Sequence, residues 1–66
     1  MKLMGRVWNT LGQDERLALL RNCKTVMTEG IIQHESTLGW NELWPIRQDE
    51  LCNVDAESIL HRILAP

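Results

Sequence analysis

Sixty-six residues, 44% of them hydrophobic, with no low-complexity run and a formal net charge of −2, describe one small folded helical domain. Two cysteines are too few for a disulfide-built scaffold, and no run approaches the roughly 18 consecutive apolar residues of a transmembrane helix. The opening MKLMGRVW lacks the apolar stretch of a signal peptide, so a reducing, cytoplasmic setting is expected.

Ten Leu and five Ile against three Val favour helix over strand. Residues 1 to 9 read as extended or irregular, with Val7 and Trp8 held against the body. Thr10-Leu-Gly-Gln13 has the form of a capping box, and Asp14 and Glu15 follow in the first turn, where carboxylates suit the helix dipole. From there one stripe carries Gln13, Leu17, Leu20, Lys24, Met27, Ile31, His34 and Leu38 at alternating steps of four and three, the period of a helix that faces another helix. Leu19, Cys23 and Val26 widen it. The periodicity predicts one long helix over about 11–38, with Gly30 as the point where it would break into two helices in line. Gly39 then reads as a left-handed C-terminal cap.

The segment GWNELWP is a connection with bulky apolar content. Trp44 precedes a proline and is biased away from helical geometry, while Pro45 suits the first position of a new helix over 45–52. Asp55 is a strong N-cap, and Val54 with Ile59 can form a hydrophobic staple, so a last helix is expected over 56–64. An internal echo places TLG at 10–12 and 37–39, WN-x-L at 8–11 and 40–43, and QDE at 13–15 and 48–50. These matches read as chance or as reused helix-start chemistry.

Lacking covalent staples, a chain this short gains buried surface by pairing. A homodimer is therefore expected, with Leu17, Leu20, Met27, Ile31, His34 and Leu38 forming the interface. Antiparallel pairing suits the charge gradient, +3 over residues 1 to 24 and −5 over the rest. His34 on that seam would set register, and two facing imidazoles would repel when protonated.

No catalytic residue, cofactor site or metal site is assigned. Cys23, His34, Cys52 and His61 are the only soft-ligand set, and their gaps of eleven and nine residues do not match the short spacing of structural zinc ligands. A Cys–His pair would still need an orienting group, an oxyanion site and a cleft. Three tryptophans without Phe or Tyr are a heavy load for this length. Trp40 and Trp44, with Leu43 and with Glu42 on the rim, are the candidate anchors for a protein partner. The leading expectation is a small non-enzymatic interaction module, an adaptor or inhibitor of a larger protein. The competing reading is a compact DNA-binding regulator that contacts phosphates through Arg16, Arg21 and Lys24.

Overall fold

The computed structural model describes residues 5–25 and 27–64. Helices α1 (Gly5–Thr10), α2 (Gln13–Arg21), α3 (Glu29–Ser36), α4 (Pro45–Cys52) and α5 (Ala56–Leu64), with a single 3-10 turn at Trp40–Glu42, make up the fold, and the described residues contain no strand.

From Gly5 the lead-in is helical instead of irregular, residues 1–4 lying outside the described residues. Thr10 does not cap α2; its hydroxyl donates to the Val7 carbonyl at 2.7 Å and closes α1. The cap of α2 lies two residues on, at Gly12, whose N–H donates to the Glu15 carboxylate at 3.2 Å. Asp14 and Glu15 occupy the first turn of that helix.

A continuous helix over 11–38 is overturned, and the interruption is not at Gly30. Helix α2 ends at Arg21, where the Asn22 side chain turns back to the Ala18 carbonyl at 2.7 Å. Helix α3 starts only after Thr28, whose hydroxyl accepts from the Ile31 N–H at 3.3 Å. Short polar side chains at Asn22, Thr25 and Thr28 offer the backbone local partners that compete with helix. Gly30 lies in the first turn of α3, where a glycine disrupts least. The gap from 22 to 28 is seven residues, two helical turns' worth, so the hydrophobic spacing keeps phase across a segment whose described residues are not helical; Val26 lies outside the described residues.

Because the chain folds back there, α2 packs on α3 and also touches α5. The core consists of Trp8, Leu19, Leu20, Ile32, Leu43, Leu51, Ala56 and Ile59. Helix α3 turns Ile32, Glu35 and Ser36 inward and leaves Ile31 and His34 outside. The expected dimer seam therefore does not exist as one surface. Leu20 is fully buried within its own chain, and Leu17, Met27 and Leu38 are half-buried against the core.

Gly39 is not left-handed: its φ is −72°, and no glycine among the described residues has a positive φ. It starts the 3-10 turn, and its N–H donates to the Glu42 carboxylate at 2.9 Å. The sequence echo thus has a structural meaning. TLGQDE at 10–15 and TLGWNE at 37–42 build the same turn twice. In each, the threonine hydroxyl bonds the carbonyl three residues back, Val7 or His34, and the glutamate receives the glycine N–H.

Helix α4 has Pro45 at its first position, with Trp44 extended in front of it. Before α5, the Asp55 carboxylate accepts from the Ser58 N–H at 3.3 Å, and hydrogen bonds from the Ser58 side chain and then its backbone hold Asp55 below the ordinary carboxylate range. Val54 is packed against the core beside buried Ile59, as a staple requires.

Candidate protein-binding surface

The three tryptophans occupy three different environments. Trp8 is fully buried, and its indole N–H donates to the Leu38 carbonyl at 2.9 Å. Trp40 is half-buried with its ring 6.2 Å from that of Trp8, and its backbone N–H bonds the Asn9 side chain at 2.9 Å. Gly5 lets α1 approach the Trp40 indole, since a Cβ there would stand 2.6 Å from Cδ1. Trp44 is different: 73% of it is exposed, and Ile46 (69%) and Ile31 (45%) are the other large exposed hydrophobic residues among those described. The Trp40–Trp44 pair chosen from the sequence is thus divided. Trp40 is built into the fold and Trp44 projects from it. Leu43 is buried in the core, which withdraws it from the candidate contact residues, and Glu42 is exposed beside the turn it caps.

Trp44 does not project at random. It is the N-cap of α4, held extended at φ −62° and ψ 145° by the proline that follows, and its carbonyl accepts from the Arg47 and Gln48 N–H groups at 2.9 and 3.0 Å. Beside it lies a groove of about 660 Å³ between α3 and the start of α4. Thr28, Gly30, Ile31, His34 and Trp44 form its sides, with buried Glu35 and Arg47 beneath.

The ion network under the groove was not legible in the sequence. Arg47 donates to Glu35 at 2.6 Å and to Glu50 at 2.9 Å, and Glu50 also accepts from the Thr25 N–H at 3.1 Å. Burial alone would lower the Arg47 pKa, but the two carboxylates outweigh it and raise it. The Arg47–Glu50 spacing of three residues hinted at a pair; Glu35, twelve residues away, carried no local signal. The network joins α3, α4 and the α2–α3 connection, which fixes the two walls of the groove. Cys23 packs near it, and burial, with Glu50 second, pushes its thiol up to about 11. That makes it a poor nucleophile.

The cations proposed for phosphate contact are dispersed. Arg16 is consumed internally: Nε donates to the Trp8 carbonyl at 3.1 Å, Nη1 to Ser36 and Leu38 at 3.2 and 3.3 Å, and Nη2 to Asn9 at 3.4 Å. Its guanidinium also lies 5.2 Å over the Trp8 ring. Arg21 is paired with Glu29. Lys24 is exposed at a second cleft of about 450 Å³, where Asp49, Asp55 and Arg62 mix the signs of charge. Arg16 is a clamp between α1, α2 and the end of α3, which corrects its assignment as a nucleic-acid contact.

Cys23 and Cys52 are not joined by a disulfide, and no three His, Cys, Asp or Glu side chains among the described residues are placed to share a metal ion. No helix among the described residues is long and apolar enough to cross a membrane. Comparison with protein-family models, with curated proteins and with solved structures finds no match to this chain.

Proposed function

We propose that this chain is a small, non-enzymatic interaction module that binds protein through Trp44, acting as an adaptor or inhibitor in the cytoplasm. The exposure of Trp44 supports this. An indole left 73% in water costs solubility, and Ile31, which lines the same groove, adds exposed apolar surface beside it. Trp44 is also pre-positioned, because Pro45 removes most of its backbone freedom before any partner arrives. Glu42, nearby in sequence and exposed, orients a partner more than it binds one.

A photo-crosslinking amino acid in place of Ile46, expressed in the native host, tests this reading. The expected result is an adduct of discrete mass that disappears when Trp44→Ala is added. Trp44→Ala should weaken the contact by about 2 kcal/mol or more while leaving the melting temperature nearly unchanged. Absence of any adduct, or a Trp44→Ala variant that melts like a core mutant, would overturn it.

A further inference from the structure

We propose that the cleft between the ends of α2 and α4 and the start of α5 binds a small ligand carrying both an ammonium and a carboxylate, as a free aliphatic amino acid or a short peptide does. The site is separate from the Trp44 surface and does not depend on it. Its volume of about 450 Å³ lies within the range of small-molecule sites. Val54 and Ile59 supply apolar lining, and polar groups from three segments surround them.

The internal bonds of the fold decide what those polar groups can still do. The Asn22 and Asn53 amide nitrogens donate to the Ala18 and Asp49 carbonyls at 2.7 and 2.9 Å, which leaves each Oδ1 to accept. Glu50 is spent on Arg47 and on the Thr25 N–H. Asp49, by contrast, is exposed, and its carboxylate bonds no described residue. Asn22 and Asn53 are also the C-caps of α2 and α4, so the negative ends of two helix dipoles meet at the cleft. Acceptors of this kind suit an ammonium, which has three donors and no acceptor.

A simple cation is nonetheless opposed. Lys24 and Arg62 line the same cleft, both exposed and neither in an ion pair with a described residue. A simple anion is opposed in turn by Asp49, Glu50 and Asp55. A ligand with both charges meets a partner for each: its ammonium on Asp49 and the two asparagine oxygens, its carboxylate on Lys24 or Arg62. An aliphatic side chain on the ligand then covers Val54 and Ile59.

Nitrogen-15 NMR of the intact labelled chain, titrated with leucine, tests the site. The expected result is a saturable shift of the Asn22 signal and of those from Asn53 through Ile59. 3-Methylbutylamine is leucine without its carboxylate, and 4-methylpentanoate is leucine without its ammonium; each should bind about tenfold or more weakly. Asp49→Asn and Arg62→Gln change exposed side chains outside the ion-pair network, so both variants should melt like wild type and bind leucine about tenfold or more weakly. Leucyl-glycine separates the two sources: tighter binding than leucine assigns the site to peptide, weaker binding to the free amino acid. No saturable shift with either, a one-charge analogue that binds as well as leucine, or binding indifferent to both variants overturns the proposal.

Discussion

At the scale of single residues, the fold depends on two arginines that look alike in the sequence and do different work. Arg16 gathers four carbonyls from two segments, α1 and the end of α3, which a lysine could not do because its single ammonium lacks the planar fork. Arg47 neutralises Glu35 and is itself only 8% exposed, so its removal strands a carboxylate that is 6% exposed. Breaking such a pair costs about 3–5 kcal/mol. A domain of this length holds roughly 3–10 kcal/mol in total. Arg47→Ala is therefore expected to remove about half or more of the folding stability, read as a much lower midpoint in a urea titration followed by circular dichroism. Replacing Glu35 and Arg47 together by Leu and Met should recover much of the loss, since apolar groups of similar volume leave no charge behind.

At the scale of elements, the starts of α4 and α5 were legible, whereas those of α2 and α3 were misplaced or missed although each rests on a local bond. Pro45 and Asp55 mark the first turns of α4 and α5 because proline geometry and a carboxylate cap act within three residues. The break over 22–28 was hidden because its length equals two helical turns, and periodicity reads spacing without seeing hydrogen bonds. The exposure of Trp44 was legible as a choice between two tryptophans; what resolves it, the fit of Trp40 against Gly5 and Trp8, spans more than thirty residues of chain. The Asp55 cap also predicts an acid response. Its pKa is lowered in the fold, so the ionised cap contributes its full stability above the ordinary value of 3.8 and loses it as pH falls through the lower folded value. The melting temperature should fall as pH drops from 3.8 towards that lower value. Asp55→Asn, which keeps an acceptor but cannot titrate, should show a shallower acid limb in the same scan.

At the scale of the whole molecule, helix faces that periodicity assigns to a neighbour are spent inside one chain. Leu20 illustrates the difference: on a dimer seam, Leu20→Asp would give folded monomers, whereas in the core it buries an unpaired carboxylate. The expected outcome is loss of helical signal and of the cooperative thermal transition, with no compact monomer by sedimentation. A compact monomer of native helicity would return Leu20 to an interface. No disulfide joins the described elements. Long-range order therefore rests on the small apolar core, the Arg16 clamp and the Arg47 network together.

The twin turns carry a consequence for how the apolar surface is kept in place. After TLGQDE the chain runs on as RLALL and becomes α2; after TLGWNE it runs on as LWP and halts at one 3-10 turn. The opening chemistry is shared, so the difference in fate lies downstream, and Pro45 is the residue that forbids continuation. Proline here acts as a stop codon for helix propagation. Pro45→Ala should let a single helix run from Trp40 through Cys52, detectable as a gain in helical circular dichroism. Trp44 would then rotate onto a new azimuth of that helix, and the contact it makes would be lost while every residue of the surface was still present.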